Sequence, residues 1–239
     1  MQARGLVMLC LLTTAGCDGG AGGDDDSATD AGLPPAVCDE EPARAGEATY
    51  YDADGTGNCS FDPSPADPMV AAMNQVDYEG SGACGACAAI DGPQGSVTVR
   101  IVDRCPECPR GDIDLGPDAF ARIARLSAGR VAITWRYVPC DVDGPVRYRF
   151  KEGSNPFWTA IQVRNHRHAV ASLEARPAGG DWRPLARETY NYFVQADGLG
   201  EGPLDLRVTD VYGNTVEDAA IPPGDATEAA GDSQFPPCE

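Results

Sequence analysis

Short apolar segments with period-2 alternation recur at roughly eight- to twelve-residue spacing through the second half of the chain, separated by turn residues. They fall at about 146–151, 158–164, 169–176, 181–186, 190–194, 204–210 and 215–221. None is long enough for a packed helix, and Gly (28) and Pro (20) interrupt the chain throughout. Seven such segments predict an antiparallel β-sandwich over 143–223.

The upstream half is also mainly β. Residues 96–102 (SVTVRIV) place Val97, Val99 and Ile101 on one face, and 131–138 (VAITWRYV) repeat the alternation. Between them, 117–124 reads as a short helix, with Pro117 at its first position and Phe120, Ile123 and Ala124 sharing a face. A turn-rich link near 140–145 (CDVDGP) separates a first unit, 46–140, from the sandwich. Residues 224–239 read as a polar, loose tail.

The N-terminus points to export. Arg4 precedes the short apolar run 6–12, and Thr14-Ala15-Gly16 precede Cys17. Small residues before a Cys resemble a bacterial lipobox, which makes Cys17 a lipidation candidate, although Thr14 stands where Leu is preferred. Residues 18–45 are rich in Gly, Ala, Asp and Pro and read as a disordered acidic tether. The chain is thus expected to be secreted or held at the cell envelope, touching a membrane only through a lipid anchor.

Eight Cys follow the lipobox: 38, 59, 84, 87, 105, 108, 140 and 238. In an oxidising compartment they read as up to four disulfides. Cys84-x2-Cys87 followed by Cys105-x2-Cys108 also fits a zinc-ribbon spacing. Export, and the need to partner Cys59 and Cys140, favour disulfides, so no metal is expected. His166 and His168 are the only His and lack a carboxylate motif. No phosphate loop, dinucleotide fingerprint or nucleophile elbow is present, and no cofactor is expected.

Lys and Arg number 18 against 37 Asp and Glu, a net charge of −19. Phosphate backbones should repel such a chain, which disfavours nucleic acid. The charge leaves a neutral polymer such as a polysaccharide open as a partner.

A string of ordered segments carries a resemblance. They are GEATYY (46–51), VDRCP (102–106), GDIDLGPDAF (111–120), ITWR (133–136), YRFKEGS (148–154), AIQVRNH (160–166) and YNYFV (190–194). In this order over about 46–223 they resemble the bacterial expansins. The resemblance implies a six-stranded double-psi β-barrel, like that of family-45 glycoside hydrolases, followed by an immunoglobulin-like β-sandwich that binds cellulose. It also implies wall loosening without hydrolysis, by a monomer with no cofactor.

The family's groove positions fall on Thr49, Asp103 and Asp114, with Asp114 where the related hydrolases hold their general acid. Inverting hydrolysis needs a second carboxylate about 6.5–9.5 Å away. The family lacks it and no motif restores it, which leaves Asp52, Asp54, Asp91 and Asp112 to be placed. The family also keeps a Tyr two residues past the Asp at 103, and here that position is Cys105. On the sandwich, Phe157, Trp158 and Tyr190 match a row of planar aromatics, with Lys151 beside it. A flat row of rings can stack on the apolar faces of sugars. The family often has Trp-Trp where this chain has Phe157-Trp158, and the smaller Phe should stack more weakly. Strand alternation exposes only one of two neighbours unless the strand bulges. Trp135 and Trp182 read as packing residues. Plant expansin barrels suggest pairing Cys59 with Cys84 and Cys87 with Cys140. Cys105 and Cys108 are then left to close their own loop, and Cys38 and Cys238 to tie the chain ends.

The reading that follows is a non-hydrolytic wall-loosening protein that binds cellulose and plant wall polysaccharides. Two rivals stand beside it. One is a hydrolase or lytic transglycosylase of the same barrel class, with peptidoglycan as a further target. The other is a lipoprotein that only adheres to cellulose.

Overall fold

The computed structural model describes Cys38 and residues 42–238. The export segment with Cys17 and nearly all of the tether lie outside the described residues. Among those described, no helix is long and apolar enough to cross a membrane.

Six strands close into a barrel: β1 (Arg44–Tyr50), β2 (Val70–Asn74), β3 (Cys87–Gly92), β4 (Gly95–Cys105), β5 (Ile113–Leu115) and β6 (Val131–Val138), in the order β1-β5-β2-β4-β3-β6. Two of its neighbour pairs, β1 with β5 and β2 with β4, are parallel. The alternation in β4 turns Val99 and Ile101 into the core with Trp135 and Ile90. Helix α1 (Pro117–Ile123) begins at Pro117 and buries Ala119, Phe120 and Ile123 against the barrel. Trp135 packs as expected, its Nε1 donating to the Gly111 carbonyl at 2.7 Å.

The second half forms two sheets around its own core. One holds β9 (Val170–Pro177), β10 (Arg183–Pro184), β13 (Leu204–Asp210) and β14 (Thr215–Ile221). The other holds β7 (Arg147–Phe150), β8 (Thr159–Arg164), β11 (Ala186–Arg187), β12 (Phe193–Gln195) and β15 (Glu228–Ala230). Tyr148, Phe150, Ile161, Phe193 and Leu206 fill the space between.

The structure departs from the sequence pattern in four places. The segment 181–186 is not one strand: Arg183–Pro184 pairs with β9, and Ala186–Arg187 crosses to pair with β12. Pro184 has no N–H to extend a ladder, and buried Leu185 marks the crossing point. Residues 189–191 form a turn rather than the start of a strand, with Asn191 at φ 63°. The tail is not loose: β15 pairs with β7, and the Phe235 ring is fully buried in the sandwich core. Trp182 is only half-buried, with the Arg176 and Arg207 guanidinium groups 4.5 and 4.0 Å from its ring centre.

Disulfides join Cys38 to Cys238, Cys59 to Cys84, Cys87 to Cys140 and Cys105 to Cys108. His168 Nε2 faces the first of these, 3.4 Å from Cys238 Sγ, and its Nδ1 lies 2.7 Å from Asp210 Oδ2. Cys38, His168 and Cys238 cluster as metal ligands would, but the bond between the two sulfurs leaves His168 as the only donor of the three. The Cys105–Cys108 bridge closes a very small loop and so removes little unfolded-state entropy. Replacing both with Ala should cost about 2 kcal/mol, lowering Tm by about 4–8 °C in a thermal melt.

Candidate functional site

Strand register builds a polar trough on the barrel. Thr49 on β1 is the Cα partner of Asp114 on β5. Asp114 is in turn the partner of Ala72 on β2, and Ala72 the partner of Asp103 on β4. The four residues therefore form one row across four adjacent strands. Two strand spacings separate the aspartate backbones, about 10 Å. Ala72, buried and small, lies between them in the row.

The two carboxylates have different environments. Thr49 Oγ1 donates to Asp114 Oδ1 at 2.6 Å, leaving Oδ2 free of that bond. Burial pushes the Asp114 pKa above the ordinary carboxyl value, and the negative charges of Glu107 and Asp103 add to it, against the Thr49 bond and Arg130. Asp103 Oδ1 accepts two backbone N–H bonds, from Asn58 at 2.6 Å and Arg104 at 2.8 Å. Both bonds fix the orientation of the Asp103 side chain through one of its two oxygens. The Asn58 bond needs close approach of the preceding residue: a Cβ on Gly57, at φ +152°, would lie 2.3 Å from Asp103 Cγ.

The remaining acids are placed elsewhere or occupied. Asp112 Oδ1 accepts from the Glu47 N–H, and Asp112 Oδ2 lies 3.5 Å from Arg130. Asp54 caps its own turn through Thr56. Asp91 lies on β3, outside the four-strand row. Asp52 is an exposed loop residue. Position 105, where the family pattern has a Tyr, is a buried half-cystine. Tyr51, which the sequence reading passed over, stands near the trough. Its hydroxyl is buried without a hydrogen-bond partner, and burial with the charges of Asp103, Asp114 and Asp54 pushes its pKa up. Its signal was present: Tyr51 lies two residues beyond Thr49, on the same face of the extended chain.

The sandwich presents the aromatic residues. Phe157 is 81% exposed, and Trp158 and Tyr190 are half-buried. Phe157 and Trp158 are both accessible without a bulge because they belong to a tight turn ahead of β8. Asn155 and Trp158 exchange backbone hydrogen bonds, and Asn155 Oδ1 accepts from the Phe157 N–H. Gly198 lets this turn pack closely, since a Cβ there would sit 2.1 Å from the Pro156 carbonyl oxygen. Tyr190 lies at the other end of β8, because it precedes β12, which runs antiparallel with Phe193 opposite Ile161 and Gln195 opposite Thr159. Between the two ends, Tyr192 meets Tyr190 at 6.0 Å and Lys151 Nζ at 5.7 Å from its ring. Tyr192 is the residue of this region that the sequence reading missed, and its buried ring packs beside that of Tyr190.

A closed six-stranded β-barrel carrying a row of carboxylates, followed by two packed sheets with accessible rings, defines the architecture of this chain. Similarity to bacterial expansins over nearly their whole length shows that the chain belongs to the expansin family, on its bacterial side, with a double-psi β-barrel as its first part. A family model described as lytic transglycolase matches residues 43–135. Expansin-YoaJ of Bacillus subtilis is 37% identical over 214 residues, covering 85% of this chain and 91% of that protein. Expansin-like protein 2 of Dictyostelium discoideum is 33% identical, covering 71% of this chain and 44% of that protein. The crystal structure of a Clavibacter michiganensis expansin, an aspartate-to-asparagine mutant in complex with cellohexaose, superposes with a TM-score of 0.77 at 32% identity, covering 83% of this chain and all of that one.

Proposed function

We propose that this protein loosens plant cell-wall polysaccharide without cutting it, holding cellulose on its aromatic strip while the trough competes for hydrogen bonds between neighbouring chains. The observation that carries the reading is the unequal state of the two trough aspartates. Asp114 is a half-buried carboxyl whose pKa burial raises, so it holds its proton to higher pH than a free carboxyl and can donate a hydrogen bond to a sugar oxygen while protonated. Asp103 is tied down by two backbone N–H groups. An acid without a free base opposite it favours binding over hydrolysis. The strip supports cellulose as the target: three accessible rings offer flat apolar area, and a neutral glucan meets no repulsion from a chain of net charge −19. The protein acts outside the cell, as a monomer, displayed through a lipid on Cys17.

The test is extension of heat-inactivated plant wall under constant load, with reducing ends measured in parallel. Creep without release of sugar is the expected result. Sugar release at an enzyme-like rate would establish the lytic alternative, and cellulose binding without creep would leave only adhesion.

A further inference from the structure

The trough lies on the barrel and the strip on the sandwich, and one residue, Asn58, bonds towards both, through its main chain on one side and its side chain on the other. The Asn58 main-chain N–H donates to Asp103 Oδ1 at 2.6 Å. Its side-chain Nδ2 crosses to the sandwich and donates to the Thr189 carbonyl at 2.7 Å, and also to Tyr78 Oη at 2.8 Å. Tyr78 Oη in turn donates to the same Thr189 carbonyl at 3.0 Å. Thr189 immediately precedes Tyr190, the strip residue at the end of β8 nearer this contact.

Further bonds hold the same turn from the barrel. Ser81 Oγ donates to the Glu188 carbonyl at 2.8 Å, and Arg187 Nε donates to Ser81 Oγ at 3.1 Å. Asn191 Nδ2 and Gln162 Nε2 both donate to the Cys59 carbonyl, at 3.3 and 2.8 Å. Asn191 is buried and sits in the left-handed region at φ 63°, which a non-Gly residue adopts at a cost. The turn that presents Tyr190 is therefore shaped by the barrel as much as by the sandwich.

We propose that Asn58 is a positioning residue that sets the register of the trough against the aromatic strip, so that one glucan chain lies across both. The inference rests on the function proposed above and adds a geometric requirement to it. The contacts place Asp103, Asn58, Thr189 and Tyr190 in succession, with Trp158 and Phe157 at the opposite end of β8. A chain held by the rings is delivered to the trough at high effective concentration only while this order is rigid. Asn58 needs no contact with sugar for this.

The experiment uses the full chain with Asn58→Asp and Asn58→Ala, and Tyr78→Phe as an independent way of weakening the same contact. Both Asn58 replacements keep the main-chain N–H that holds Asp103, so the trough itself is left intact. Asn58→Asp also sets a carboxylate against the Thr189 carbonyl. Three quantities are measured: affinity for cellotriose, affinity for a soluble cellulose derivative such as hydroxyethylcellulose, and wall creep. A thermal melt accompanies each variant. Cellotriose engages the strip alone, whereas the polymer is long enough to reach both sites.

The expected result is a polymer affinity and a creep rate lowered about five- to tenfold, from loss of the linked second site. Cellotriose affinity should stay within about twofold, since no ring has been altered. Tyr78→Phe should show the same pattern more weakly. Unchanged polymer affinity and creep in both Asn58 variants would overturn the proposal. So would a parallel fall in both affinities with Tm, which marks a merely structural role. A failure of the underlying function is read separately: wild-type protein would then bind no better to the polymer than Phe157→Ala/Trp158→Ala does, and the Asn58 proposal would fall with it.

Discussion

Replacing Phe157 and Trp158 together with alanine is expected to abolish cellulose retention, weakening it about hundredfold in a pull-down isotherm. The half-buried Trp158 leaves roughly 50–90 Å² of ring to cover, worth about 1.3–2.3 kcal/mol at ~25 cal/mol per Å². Phe157 leaves more area, but its position on a turn means that ordering the ring on the glucan offsets part of the gain. Each single replacement should therefore cost about tenfold, with Trp158 at least equal to Phe157 because its ring is already fixed. Neither side chain belongs to the sandwich core, so the melting temperature should barely move. Tyr190→Ala is expected to cost less, since part of its ring already rests against Tyr192. Full retention by the double variant would remove the sandwich from cellulose binding altogether.

The contrast between strip and trough shows what the sequence could reveal. Alternation in 96–102 was readable because one face of β4 meets the core, and the start of α1 was readable because Pro117 suits a first helical position. The row Thr49–Asp114–Ala72–Asp103 was not readable from pattern. It depends on parallel pairings between segments far apart in the chain, and nothing in a short window encodes such a register. The resemblance supplied those three polar residues, but not Ala72 or Tyr51. Phe157 and Trp158 illustrate a different limit: alternation holds inside a strand, and these residues sit in the turn before one. The polar tail misled because composition alone hides a single buried anchor, Phe235, and a three-residue strand added to an open sheet edge. Asn58 carried no signal at all, since its role exists only where two domains meet.

Asp114→Asn and Asp114→Ala are each expected to reduce wall creep at least about tenfold while leaving the affinity for cellotriose, which engages the strip alone, within about twofold. A hydrogen bond from a protonated carboxyl to a sugar oxygen is one between neutral partners, and in a site that burial has partly dried it is worth about 1.5 kcal/mol, the upper end of the ordinary range. An amide at the same place is a weaker donor, and alanine is none. The pH profile separates this role from a general polar one. Burial raises the Asp114 pKa in the folded protein, so the carboxyl keeps its proton to higher pH than it would in the unfolded chain. Any stability linked to that proton is present below the unfolded value and is lost as pH rises through the folded one. Loosening by the wild type should follow the same direction, strongest in acid and declining across the window between the ordinary carboxyl value and the raised one. The residual creep of Asp114→Asn should be flat through that window, because an amide does not titrate there. Thr49→Val provides an internal comparison. It removes the hydroxyl that stabilises the ionised carboxylate, so the decline should move to higher pH rather than disappear. A wild-type profile that rises with pH would mean that the trough works through its ionised carboxylate, accepting hydrogen bonds from sugar hydroxyls instead of donating one.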